Sequence, residues 1–200
     1  MKPKALLGSI TGALLVGLAL SALRAADQPV AAIGQPAPDF SLKDENGTSV
    51  KLADYKGKII VLEWTNPDCP FVQRHYQWHT MTNLASEYKD KGVVWLAINS
   101  NGGDNSKADS EWARQNHLAY PVLDDSEYHV AGAYQAKSTP DMFIINKDGT
   151  LAYEGGIDND PDGDNAHRVN YVQKALDEIL AGKSVSTPVT KSYGCGVHYK

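Results

Sequence analysis

The sequence predicts a three-layer α/β domain. Two runs, Ile59–Trp64 and Val93–Ile98, are apolar on both faces, as central strands covered by helices should be. Between and after them, apolar residues recur at spacings of three and four, and this alternation of strand and helix patterns belongs to α/β folds. Two hundred residues, 42% of them hydrophobic, suffice for one well-cored domain and not for two large ones.

Residues 1–25 differ in kind. Lys2 and Lys4 precede an uncharged stretch, Ala5 to Leu23, that ends in small residues at Ala22, Ala25 and Ala26, the pattern of a secretory signal peptide. About 20 apolar residues also span a bilayer, so an uncleaved anchor through residues 5–23 is the alternative reading. In either case the folded part is expected to be periplasmic or secreted. No cysteine follows the run to accept a lipid. Losing residues 1–25 removes three of the 19 basic side chains and none of the 24 acidic ones, which moves the formal charge from −5 to about −8. That charge argues against nucleic acid and anionic membrane surfaces as partners.

The first folded segment, from Gly34 to Lys58, reads as two short alternating strands around the polar turn Asp44–Thr48, a β-hairpin. The strand Ile59–Trp64 then ends in the turn Thr65–Asp68. A helix follows with Trp78, Met81, Leu84, Ala85 and Tyr88 on its buried face, and it stops near Gly92. Beyond the second core strand come a loop rich in Gly, Asn and Asp (99–105) and a helix opened by Ser106 or Asp109 and running to His117. A short edge-type strand at Tyr120–Asp124 and a helical stretch from Ser126 to Tyr134 come next. The strand at Met142–Ile145, the turn Lys147-Asp148-Gly149 and the strand Thr150–Glu154 close the sheet. A last helix from Arg168 to Leu180 puts Val169, Val172, Leu176 and Ile179 on one face. The tail, residues 182–200, has little periodicity and carries Cys195 between two glycines, which predicts a flexible thiol.

Cys69 stands at the junction of the first core strand and the helix. Proline suits the first helical position because it has no N–H to leave unpaired, so Pro70 at N1 makes Cys69 the N-cap. There its sulfur faces free N–H groups and the positive end of the helix dipole, which favours the thiolate and a pKa below about 8.5. A buried small hydrophobe or half of a structural disulfide are the bland alternatives. A polar turn and a helix N-terminus, with Trp64 nearby, favour a reactive, partly exposed cysteine over the buried hydrophobe.

The strand, the turn ending in Cys69-Pro70, and the helix resemble the active-site region of the thioredoxin-like superfamily, nearest its peroxiredoxin-like (AhpC/TSA, redoxin) branch. Thr139-Pro140 before the strand Phe143-Ile144-Ile145 is similar to the superfamily's cis-proline, which packs against the active-site cysteine. The resemblance covers residues 34–181 and implies a thioredoxin-like fold, a central mixed sheet flanked by helices with an N-terminal hairpin and a C-terminal tail. It implies a thiol oxidoreductase in which Cys69 attacks a disulfide or peroxide substrate and an external thiol reductant restores the protein. Trp64, Asn66, Pro70, Thr139 and Pro140 would support the site, with no cofactor and no metal. The chain departs from the pattern in two ways. A thioredoxin-type dithiol lacks its second cysteine, since Asn66 stands three residues before Cys69. The peroxidase branch's Thr and Arg are replaced by Asn66 and Pro140. Cys195 is the only other thiol, and a tail can deliver it as the resolving thiol, as in some peroxiredoxins. A permanent Cys69–Cys195 bridge in a non-catalytic binding protein is the competing reading.

Two further clusters have plainer readings. Asp158-Asn159-Asp160-Pro161-Asp162-Gly163-Asp164 resembles the start of a calcium loop, but Val169 stands where a bidentate Glu is needed, so a solvated acidic loop is expected. His75 and His79, a helical turn apart, read as ordinary surface or half-buried histidines rather than metal ligands.

Overall fold

The computed structural model describes residues 29–199; the leader or anchor expected at residues 1–25 lies outside the described residues. Among the described residues no helix is long and apolar enough to cross a membrane. The hairpin strands are β1 (Ser41–Asp44) and β2 (Ser49–Lys51). A 3-10 turn at Leu52–Tyr55 leads into β3 (Ile59–Thr65), which is buried along its whole length. Then come α1 (Pro70–Gln77), α2 (Thr80–Lys89), β4 (Val93–Asn99), α3 (Ser106–Gln115), β5 (Val122–Asp124) and α4 (His129–Tyr134). The chain ends with β6 (Ser138–Thr139), β7 (Asp141–Ile145), β8 (Leu151–Gly155), α5 (Tyr171–Leu180) and β9 (Cys195–Gly196).

Seven strands form one sheet in the order β2-β1-β5-β4-β3-β7-β8. β3, β4 and β5 are parallel, and β7, β8 and the hairpin run antiparallel to their neighbours, so the sheet is mixed as expected. Side chains along β3 alternate between two layers. Ile59 and Val61 pack with Val72, Met81, Tyr88, Val172 and Leu176, which come from α1, α2 and α5. Ile60, Leu62 and Trp64 pack with Leu52, Ala131 and Tyr134 on the other side.

Five expectations need correction. β5 is no edge strand: β1 pairs with it through Lys43 and Asp124, so the hairpin covers its free side. The single helix after Cys69 is two helices, broken where His79 adopts φ 56°. Trp78, expected on the buried face, is 39% exposed. Its ring lies 5.2 Å from the Arg74 guanidinium and 5.0 Å from that of Arg168, a cation–π attraction that an aliphatic core does not offer. The last helix starts at Tyr171, with Asn170 capping it by accepting from the Gln173 N–H at 2.9 Å, which leaves Val169 outside the helix and exposed. The helix expected from Ser126 begins at His129, because Asp125 accepts from the Val130 and Ala131 N–H groups at 3.0 and 2.8 Å and holds the chain non-helical until there.

One member of the apolar run in β3 is charged. Glu63 is fully buried in the layer that holds Cys69. Its carboxyl accepts from the Tyr76 hydroxyl at 3.0 Å and from the Trp95 indole N–H at 2.8 Å. Burial pushes its pKa up to about 7, against the smaller opposing effect of those donors. The folded protein therefore holds this proton where the unfolded chain, titrating near 4.5, has lost it. Between those values the folded state binds more protons than the unfolded state, so stability falls as pH rises, by about 3 kcal/mol at most from this group. Burial raises Asp109 and Asp141 to about 6, which acts in the same direction. Glu63→Gln keeps an acceptor for one donor, and Tyr76 can turn its hydroxyl toward Tyr120, 3.0 Å away. The variant is expected to lose most of the pH dependence of urea unfolding between about pH 6 and 8, above the range of Asp109 and Asp141. An unchanged slope would show that Glu63 is not the titrating group.

Candidate active site

Cys69 caps α1 with extended backbone (φ −79°, ψ 119°), and Pro70 takes the first helical position, as the sequence predicts. The turn before it is tied by Asn66, whose carbonyl accepts from the Cys69 N–H at 3.0 Å and whose side chain accepts from the Asp68 N–H at 2.8 Å. In the thiol form the sulfur does not cap the helix: Sγ–H donates to the Thr139 carbonyl at 3.0 Å. The Thr139–Pro140 peptide is cis. β6, which ends in Thr139, thus brings the residue before the cis-proline directly over the cysteine.

The tail meets the same point. β9 pairs antiparallel with β6, placing Cys195 opposite Thr139 and Gly196 opposite Ser138. Each thiol is close enough to shift the titration of the other, and both cysteines are free thiols. The expected flexibility of Cys195 is overturned, because the tail is anchored along its length. Glu154 in β8 exchanges backbone hydrogen bonds with Pro188 and Thr190 at 2.9 and 3.0 Å. The Tyr193 hydroxyl donates to Asp158 Oδ1 at 2.5 Å and lies 2.9 Å from His75 Nε2 on α1. Gly194 serves contact rather than mobility: at φ 134° a Cβ there would sit 2.0 Å from the Thr139 carbonyl oxygen.

Roofed by this strand, Cys69 is only 1% exposed, so the partial exposure expected from its position is not found. Its electrostatics still favour the thiolate. Burial alone pushes the thiol up, but the polar side chains of Cys195 and Thr139 and the Val72 and Cys195 N–H groups around the sulfur outweigh it, and the net shift is downward. Cys195 moves the other way, to about 11, through burial and then through the hydrogen bond and negative charge of Cys69. The two shifts run in opposite directions, so Cys69 is the thiol of the pair that ionises first.

Of the other residues singled out in the sequence, Thr139, Pro140, Pro70 and Asn66 gather around the sulfurs. Trp64 does not. Strand alternation sends it into the opposite layer, fully buried against Tyr134 and Phe143 and donating to Ser100 Oγ at 3.0 Å. No local dithiol exists in either direction, since Asn66 precedes Cys69 by three residues and the buried Val72 follows it by three. The acidic loop is not simply solvated: Asp158 and Asp160 are buried, and Asp160 Oδ1 accepts from the N–H groups of Gly163, Asp164 and Asn165 at 2.9 to 3.0 Å. His75 is buried under Tyr193. Burial first, and then the charges of Arg74 and Arg168 against Asp158 and Asp160, depress it to about 4. Among the described residues no group of three or more His, Cys, Asp or Glu side chains could hold a metal ion. Sequence reasoning missed Glu63 and Tyr193, and it named His75 and Asp158 without seeing that Tyr193 would join them. An acid inside a two-sided apolar strand was the readable signal for the first; the others depend on where the tail lies.

The AhpC/TSA family matches residues 33–154, a range that holds Cys69 and Thr139-Pro140 and ends before Cys195. Thiol-disulfide oxidoreductase ResA from Geobacillus kaustophilus is 31% identical over 125 residues, 62% of this chain and 70% of that protein. The crystal structure of an uncharacterized conserved protein from the same species is 32% identical and superposes with a TM-score of 0.77 over 84% of this chain and 93% of that one. The thioredoxin domain of a thiol-disulfide oxidoreductase from Bacteroides vulgatus, 18% identical, shares the fold at a TM-score of 0.53 over 62% of this chain and 87% of its own. The fold is thioredoxin-like.

Proposed function

As the chain belongs to the AhpC/TSA family, we propose that it is an exported thiol–disulfide oxidoreductase whose exchanging pair is Cys69 and Cys195. The observation that carries the reading is the convergence of both cysteines on Thr139, one from a helix N-cap and the other as its partner in a tail strand. The name of the ResA relative favours a disulfide over a peroxide as substrate. Export rests on the leader-like residues 1–25.

In the proposed cycle the tail lifts and the Cys69 thiolate attacks a substrate disulfide, R–S–S–R′. A Cys69–S–S–R bond forms and R′–S⁻ leaves, taking up a proton. With Cys69 no longer anionic, two of the causes that hold the Cys195 proton disappear. Cys195 deprotonates and attacks the Cys69 sulfur, R–S⁻ departs, and the protein is left with a Cys69–Cys195 disulfide while the substrate has gained two electrons. An external thiol returns the protein to the dithiol.

The test is Cys195→Ser mixed with a stoichiometric peptide disulfide. The variant is expected to stall as a Cys69–peptide adduct seen by mass spectrometry, whereas the unaltered protein accumulates the internal disulfide and releases both peptide thiols. An unmodified Cys69 in both proteins would sink the proposal and leave the non-catalytic binding protein.

A further inference from the structure

The two sulfurs are not equally reachable. Cys69 lies beneath β9 and is closed to solvent. Cys195, half-buried, lines a cavity of about 280 Å³ whose other walls include Thr65, Asn66, Ser100, Asn101 and His198. No Asp, Glu, Lys or Arg lines it, and Cys69 does not reach it. Apart from Gly196 and Val197 its walls are amides, hydroxyls, the Cys195 thiol and one imidazole, and its volume lies near the low end of small-molecule sites, about 300–1,000 Å³. Such a lining suits amide-bearing, hydrophilic molecules better than apolar ones, because its donors and acceptors would otherwise be stripped of water without replacement.

We infer that the thiol that reduces the Cys69–Cys195 disulfide is a small, hydrophilic, peptide-like thiol that enters this cavity and attacks Cys195, so that the mixed disulfide of the reductive half-cycle is carried by Cys195. The inference rests on the exchange pair proposed above. In the first step the thiolate R–S⁻ bonds to the Cys195 sulfur, the Cys69–Cys195 bond breaks, and Cys69 leaves as the thiolate. A second R–S⁻ then attacks the R sulfur of R–S–S–Cys195, releasing R–S–S–R and a Cys195 thiolate that takes up a proton. Two thiols are oxidised, and the protein disulfide gains two electrons. The direction of cleavage also follows the rule that the sulfur with the more stable thiolate leaves faster. That sulfur is Cys69, held by the polar groups already described. The cavity thus makes the tail cysteine the face shown to the reductant, while Cys69 meets a substrate only when the tail is lifted.

Glutathione is the probe. The oxidised full chain is mixed with a small excess, quenched with acid within the first turnover, and mapped by mass spectrometry. Glutathione is expected on Cys195, with Cys69 free. Asn101→Phe, which fills the cavity at the cost of the 3.2 Å hydrogen bond from Asn66 Nδ2 to Asn101 Oδ1, is expected to slow this reduction at least ten-fold, and a dithiothreitol equilibrium run on the same variant corrects for any change in the potential of the Cys69–Cys195 bond. Glutathione found on Cys69, or an Asn101→Phe variant reduced as fast as the unaltered protein, would overturn the inference and leave the proposed exchange pair standing. Oxidation that yields no Cys69–Cys195 bond would remove both.

Discussion

Replacing Cys69 with serine is expected to abolish disulfide exchange and leave the fold intact. The hydroxyl is close in size to the thiol and can keep the hydrogen bond to the Thr139 carbonyl that Cys69 makes at 3.0 Å, so burial at this site is compensated. What it cannot supply is an anion at neutral pH. The donors around Cys69 pull a thiol down from its ordinary 9.0, but they act on a group that already titrates near the working range. A serine hydroxyl lies far above that range. The loss should be on the order of 10³-fold or more, the scale seen when a nucleophile is removed from other enzymes. Turnover of a fluorogenic peptide disulfide under a thiol reductant reads it directly. A Cys69→Ser variant that kept more than a tenth of the rate would place the attacking sulfur elsewhere.

Gly194→Ala should be the most damaging change outside the two cysteines. Its Cβ would meet the Thr139 oxygen at 2.0 Å and the Thr139 carbonyl carbon at 2.7 Å, both backbone atoms that have no rotamer to move into. The backbone there, φ 134°, is also one that residues with a Cβ avoid, at a cost of roughly 1–3 kcal/mol. β9 must therefore separate from β6, and Cys195 goes with it. The seven-stranded sheet is built without β9, which pairs with β6 in a separate two-stranded sheet. The variant is expected to stay folded and to form the Cys69–Cys195 bond ten- to a hundred-fold less favourably against the same thiol buffer, at about 1.4 kcal/mol per ten-fold. An unchanged equilibrium would mean that β9 does not position Cys195.

What could be read in the sequence was local. Pro70 fixes the helix start from its own covalent geometry, and that alone placed Cys69 at the N-cap. The two-sided apolar runs became β3 and β4 in register, Ile59 beside Val93 and Thr65 beside Asn99. Thr139-Pro140 was recognised through the resemblance, and the bond is cis. What escaped was decided between distant segments. β5 looked like an edge strand because nothing in Tyr120–Asp124 announces that Lys43 and Asp44 will pair with it. Helical periodicity ran on through Trp78 because the two arginines that hold its ring outside the core are respectively near in sequence and far from it. The tail's glycines suggested freedom, since a glycine used for close approach and one used for mobility look alike without the Thr139 carbonyl beside it. The same limit hid the link from His75 through Tyr193 to Asp158, which joins α1, the tail and the acidic loop across more than a hundred positions of sequence.

The most direct measurement is the equilibrium between the Cys69–Cys195 pair and a dithiothreitol redox series, followed by alkylation of each cysteine. Stabilising the Cys69 thiolate in the reduced protein makes the disulfide easier to reduce, so the potential is expected above about −300 mV, the line below which structural disulfides of secreted proteins fall. The body should stay folded throughout, since its sheet and both apolar layers are in place with the two cysteines free. A potential well below that line, or unfolding on reduction, would contradict an exchanging pair and identify the bond as a structural one.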